Sequence, residues 1–264
     1  MTVRLLQLTD CHLFVSPQAT IQGICTRERW LSVLAAIAPE QSRAERLILT
    51  GDMTHDDLPE TYRVVRETLA PWWSKSRFVP GNHDVRFGIY EHLQDRIQRV
   101  AERVVFSEPL GGWQIIGLDS HLPGQVKGEL GGEQLAWLAE ELARTSNRPT
   151  VLFLHHPPVD APSAWMNAIG LTDRDDLWGL LRNHAQVRLI CAGHVHHESS
   201  TLRQGVLVVT TPATGVQFTP ESDTLVVDDL PWGYRVLELH DDGTFQTRVV
   251  RLPLRTVCLP LSPG

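Results

Sequence analysis

The chain has 264 residues, 42% hydrophobic and 21% charged, with a formal net charge of -7. That length buries a full core without disulfide staples, and the composition is that of a globular protein. An acidic chain without a basic tract is unsuited to gripping a nucleic-acid polymer, which needs clustered Lys and Arg. No apolar run reaches transmembrane length, and Met1 to Leu8 lacks the apolar stretch and cleavage site of a secretory leader, so no membrane partner is expected and the expected address is the cytoplasm.

In chain order, Val3 to Leu8 reads as a first strand ending at Thr9 and Asp10. Arg27 to Ala38 carries Trp30, Leu31, Leu34 and Ile37 at helical spacing and stops at Pro39. Leu47 to Thr50 is a short strand running into Gly51-Asp52. Asp57 is expected to cap a helix with Pro59 in its first turn. Arg77 to Val79 is a brief strand before Pro80-Gly81-Asn82-His83-Asp84, and a helix is predicted over Ile89 to Ala101. Trp113 to Leu118 is a strand, and Leu135, Leu138 and Leu142 give Glu133 to Arg144 one apolar helical face.

Thr150 to Leu154 is an apolar strand ending in His155-His156. A helix near Arg174 to Asn183 precedes the strand Val187 to Cys191, which opens into Gly193-His194-Val195-His196. From about residue 200 the chain turns strand-rich, with strands over Val206 to Thr210, Gly233 to Leu239 and Thr244 to Arg251. The last two are joined at Asp241-Asp242-Gly243, a hairpin signal. No linker or repeat divides the chain, so residues 1–264 are read as one domain. Its four cysteines (Cys11, Cys25, Cys191, Cys258) show no Cys-x-x-Cys spacing and are expected to remain thiols.

Five segments collect the metal-type side chains: Asp10-Cys11-His12, Gly51-Asp52, Gly81-Asn82-His83-Asp84, His155-His156 and Gly193-His194-Val195-His196. Each follows a predicted strand. Ligands of open α/β sheets bind beyond the carboxyl ends of strands, so five such loops can converge on one point. Gly-Asp is an ordinary turn and a single Asp-x-His arises often by chance; the shared strand-end position is what points to a site. Imidazole and carboxylate without thiolate suit iron, zinc or manganese, and exclude a closed structural zinc site. Asp52, with no neighbouring ligand in its own motif, is the natural bridge between two cations.

These five blocks resemble those of the calcineurin-like metallophosphoesterases, over nearly the whole chain. The stretches Leu8 to Phe14, Gly128 to Leu130 with Glu133 to Leu138, Val216 to Phe218, and Trp232 to Leu239 with Asp241 to Thr244 are most similar to the bacterial class III cyclic nucleotide phosphodiesterases. The resemblance implies a four-layer α/β/β/α sandwich with a binuclear metal site at strand ends. It implies one metal held by Asp10, His12, Asp52 and His196, and another by Asp52, Asn82, His155 and His194. His83 matches the family's histidine beside the substrate phosphate, with Asp84 its expected orienting neighbour and Asn82 also catalytic. The phosphate is expected within reach of His12, Asn82, His83 and His196.

The implied reaction is hydrolysis of 3',5'-cyclic AMP to 5'-AMP by a metal-activated hydroxide. Iron and manganese are the expected metals, with zinc or cobalt as alternatives. The alternative substrates are glycerophosphodiesters or other small phosphate esters. A protein phosphatase would need more basic residues than Arg86 beside the third motif, and a non-catalytic scaffold should have lost donors. Around the centre, Asp119, His121 and His156 are candidates for orienting ligands. Trp165, Met166, Asn167, Gln217 and Phe218 are candidates for contacting a base. His55, His92, His184, His197 and His240 carry no assigned role.

Overall fold

The structure, a computed structural model, describes residues 1–253. Cys258 and the last stretch of the expected single domain therefore lie outside the described residues. The first half runs β1 (Thr2–Leu8), α1 (Thr26–Ile37), β2 (Arg46–Thr50), α2 (Pro59–Thr68), β3 (Ser76–Val79) and α3 (Arg86–His92). It continues with β4 (Gln98–Val100), β5 (Arg103–Leu110), β6 (Trp113–Gly117) and α4 (Gly132–Arg144). Then come β7 (Thr150–Phe153), α5 (Ala164–Ala168), α6 (Arg174–Leu181), β8 (Val187–Ala192), β9 (Ser199–Arg203), β10 (Val206–Thr210), β11 (Gly233–His240) and β12 (Phe245–Arg251). Two two-residue ribbons, Thr20–Ile21 with Ile24–Cys25 and Gln217–Phe218 with Val227–Asp228, lie in loops.

Two mixed sheets form. One has the order β12-β11-β1-β2-β3, the other β9-β10-β8-β7-β6-β5-β4. The strands β1, β2 and β3 are mutually parallel, as are β6, β7, β8 and β10. Alternation along each strand sets the layers. In β1, Val3 and Leu5 enter the core between the sheets, while Leu6 and Leu8 join Trp30, Val33 and Val65 beneath α1 and α2. In β7, Val151 and Phe153 face the first sheet, while Leu152 packs with Leu138, Leu142 and Trp178 of α4 and α6. Three apolar cores between four layers make the α/β/β/α sandwich. Strands buried on both faces need apolar residues at every position, which is why Leu47–Thr50 and Thr150–Phe153 carry so little polarity.

Local departures from expectation have physical causes. The helix predicted over Ile89 to Ala101 ends at His92, and Gln98–Val100 instead pairs antiparallel with β5. The turn joining them puts Ala101 at φ 48°, a left-handed position with no Gly or Asn to signal it. Asp57 does not cap α2: it sits at φ 56°, and the neighbouring Asp56 carboxylate accepts from Thr61 Oγ1 at 2.7 Å. Trp72 is buried, and Trp73 lies under the Arg66 guanidinium, 4.3 Å away. Cys11, Cys25 and Cys191 are free thiols. Among the described residues no helix is long and apolar enough to cross a membrane.

Candidate metal centre

The five motif loops leave the carboxyl ends of β1, β2, β3, β7 and β8, and the first two are sewn together by backbone. Asp10 N–H donates to Gly51 O at 3.1 Å, and His12 N–H to Asp52 O at 2.9 Å. Asp10, His12, Asp52, His194 and His196 all have φ between 43° and 69°. Each such non-glycine conformation costs on the order of 1–3 kcal/mol and persists only where the surroundings over-determine it. These inter-loop bonds supply that restraint for Asp10, His12 and Asp52.

The side chains form two groups. Asp10, His12, Asp52 and His196 offer donor atoms all within 4.8 Å of one another. His12 Nε2 lies 3.1 Å from His196 Nε2 and 3.5 Å from Asp52 Oδ2, and His196 Nε2 lies 3.2 Å from Asp10 Oδ1. In the second group, His155 Nε2 is 3.4 Å from Asp52 Oδ2 and 3.1 Å from Asn82 Oδ1, and His194 Nδ1 is 3.0 Å from Asn82 Oδ1. Asp52 Oδ2 belongs to both. Its other oxygen is committed, accepting the His83 backbone N–H at 2.9 Å.

This set fits cations. His155 Nδ1 sits 2.8 Å from Thr50 O, and His196 Nδ1 sits 2.7 Å from Val216 O, so each donates its Nδ1 proton there and turns Nε2 to the centre. Imidazole nitrogens and carboxylate oxygens thus converge, and a cation would take the place of the protons between them. Buried His194 Nε2 has no hydrogen-bond partner among the described residues. Burial disfavours charge on His155, yet Asp52 outweighs burial and raises His155 to about 9. The reciprocal pull of His155 takes buried Asp52 well below the usual carboxylate range. The field between these residues calls for positive charge. Two ions sharing Asp52 would supply it.

His156 stands close to His155 and His194 but presents no free donor atom. Its Nε2 reaches Val126 O at 2.9 Å and its Nδ1 reaches Ser120 Oγ at 2.8 Å. Burial, then the charge of His155, pushes it down to about 3. It anchors the Val126 loop rather than a metal. Asp84 does not orient the His83 ring, contrary to expectation. Its carboxylate accepts from the backbone N–H of Gly81, Met53 and Thr54 and from Tyr62 OH, so it pins the second and third loops together. Burial, reinforced by the charge of Asp52, raises it to about 7. Asp119 is likewise structural. It takes both Arg86 Nε and Nη2, at 2.7 and 3.0 Å, and holds Val104 N and His121 N.

A cleft of about 250 Å³ opens above the two groups, with His12, Asp52, Asn82, His83, His194 and His196 at its floor. Trp165, Met166 and Phe218 line it as expected, and Phe218 lies flat on the His196 ring, 4.0 Å away. Asn167 turns away, bonding Ala161 through both its amide atoms, and Gln217 is buried against Ala213 O. Ile21, Val126, Ile169 and Leu225 complete the apolar wall without any sequence signal, being single apolar residues in loops. His55, assigned no role from sequence, also lines the cleft.

Residues 3–198 match the calcineurin-like phosphoesterase family. The chain belongs to the calcineurin-like phosphoesterases. This phosphoesterase is 37% identical over 250 residues to the 3',5'-cyclic adenosine monophosphate phosphodiesterase CpdA of Escherichia coli (strain K12), spanning 95% of this chain and 90% of that one. It is 32% identical over 263 residues to a 3',5'-cyclic-nucleotide phosphodiesterase of Nostoc sp., spanning 100% of this chain and 96% of that one. Its fold resembles that of a dimetal phosphatase from Danio rerio, with a TM-score of 0.65 at 15% identity over 89% of this chain and 95% of that one.

Proposed function

We propose that this phosphoesterase hydrolyses 3',5'-cyclic AMP to 5'-AMP at the two-cation centre. The observation that carries the reading is Asp52 Oδ2 reaching both donor groups beneath a cleft of nucleoside size with apolar walls. Relatives named for cyclic nucleotide hydrolysis, similar over nearly the full chain, support it. Asp10, His12, Asp52 and His196 would hold one ion, and Asp52, Asn82, His155 and His194 the other. Carboxylate, amide and imidazole donors without thiolate favour iron and manganese as the pair. Bound there, the ions supply Lewis acidity and an acidified water.

The chain's own groups do the rest. Trp165, Met166 and Phe218 enclose the nucleoside, leaving the phosphate over the floor. The His83 ring nitrogens make no hydrogen bond with any described residue, so they are available to a phosphate oxygen or to the departing ribose oxygen. A proton held there answers the main difficulty of an alkyl ester, which is its poor leaving group.

Chelator-stripped protein should be inactive on cyclic AMP and regain activity with manganese or iron. A panel adding cyclic GMP, glycerophosphocholine and bis-p-nitrophenyl phosphate then separates a nucleotide enzyme from a broad diesterase. Turnover of glycerophosphocholine above that of cyclic AMP would refute the substrate assignment. His83→Ala should keep both metals and lose about 10²–10⁴-fold on cyclic AMP. Its loss should be smaller on bis-p-nitrophenyl phosphate, whose leaving group needs no proton; equal losses on both would refute the acid role.

A further inference from the structure

We infer that His55 is a positioning residue with two simultaneous tasks: it fixes the tautomer of His12 and it braces the ring of His83. The inference rests on the proposed roles of His12 as a metal donor and of His83 beside the phosphate.

The first task follows from the outward nitrogens of the histidines in the centre. A metal-binding imidazole almost always gives its other N–H to a partner, which holds the ring and raises its basicity; His194 is the exception in this centre. His155 and His196 find backbone carbonyls for this, at Thr50 and Val216. His12 does not. Its Nδ1 lies 3.1 Å from Nδ1 of His55. When His12 Nε2 serves as the donor to a cation beside Asp52 and His196, the His12 proton belongs on Nδ1. His55 Nδ1 must then accept it, and His55 must carry its own proton on Nε2. The backbone sets this pair directly, because His55 N–H donates to Leu13 O at 2.9 Å, next to His12 in sequence.

The second task follows from stacking. The His55 ring lies on the His83 ring at 4.8 Å between centroids and 22° between planes. Phe14 packs on His55 at 5.0 Å, and His12 meets the His83 ring edge-on at 4.9 Å. His83 has no side-chain hydrogen bond to a described residue, and Asp84 does not touch its ring. These ring contacts are therefore what places it. One side chain thus links a metal donor to the group facing the leaving oxygen.

Two substitutions separate the tasks. His55→Phe keeps a ring against His83 but removes the acceptor. Competition with a chromogenic chelator should show one of the two metals bound about 10–100-fold more weakly, the other unchanged. His55→Asn keeps an acceptor where Nδ1 stood but removes the ring. Both metal affinities should stay near wild type, while kcat on cyclic AMP falls, KM holds, and bis-p-nitrophenyl phosphate is less affected. Thermal unfolding of each metal-free variant controls for general damage, since a positioning role predicts midpoints close to wild type. Wild-type metal affinity in His55→Phe would overturn the tautomer task, and unchanged kcat in His55→Asn would overturn the bracing task. Failure of the functional reading looks different, because wild-type protein itself would then bind no metal pair or leave cyclic AMP intact.

Discussion

Asp52→Ala should yield a folded protein that keeps neither cation through desalting and falls to the metal-free background on every diester. The carboxylate sits between the two groups, 3.5 Å from His12 Nε2 and 3.4 Å from His155 Nε2. Two cations in such centres stand roughly 3.5–4 Å apart. At that distance unit charges repel by about 4 kcal/mol near a protein surface, and two divalent ions by four times that. A negative group shared by both ions offsets this, and without Asp52 the remaining carboxylate, Asp10, lies 3.2 Å from His196 Nε2 of the first group but meets a ring of the second only at His155 Nδ1, 4.0 Å away. The loss of rate should amount to several kcal/mol, about 10³-fold or more. Asp52→Asn refines the test, because it keeps an oxygen for the His83 N–H while removing the charge. Elemental analysis finding two ions in either variant would refute the bridge.

Much of this centre could be read in the sequence because parallel strands buried on both faces leave plain apolar runs, and the donors stand just after them. Strand-end position needs only local pattern, so Asp10, Asp52, Asn82, His155 and His194 could be gathered without knowing how the sheets stack. What stayed hidden depends on side-chain direction between segments remote in sequence. His55 meets His12 across 43 residues, and nothing in its surroundings marks it apart from the other unassigned histidines. Asp84 looked like a partner for His83 by adjacency, but its side chain points to the backbone of the second loop. The cleft wall is scattered over residues such as Ile21, Val126 and Leu225, which no periodicity joins. The pairing of Gln98–Val100 with β5 was masked by a turn made with alanine in place of glycine.

Gly81→Ala should disable the centre although residue 81 donates nothing to it. Gly81 does not adopt a positive φ, so alanine suits its backbone. The obstacle is space: a Cβ there would lie 2.2 Å from Asp52 Oδ1, 2.5 Å from Asp52 N and 2.8 Å from Asp52 Cγ. Those atoms cannot move aside cheaply, because Gly81 N–H is bound to Asp84 and Asp52 Oδ1 holds the His83 backbone. The bridging carboxylate must shift by around an ångström, and misplacement of that size in a catalytic array costs about 10²-fold. Overpacking should also destabilise the fold by about 1–3 kcal/mol, lowering Tm by about 2–4 °C per kcal/mol for a chain of this class. Gly132→Ala is the matched control, because a Cβ there meets nothing within 4 Å. Metal content, kcat and Tm measured on both variants decide the matter. If Gly81→Ala kept two ions and its full rate, the position of Asp52 would not be what holds the centre together.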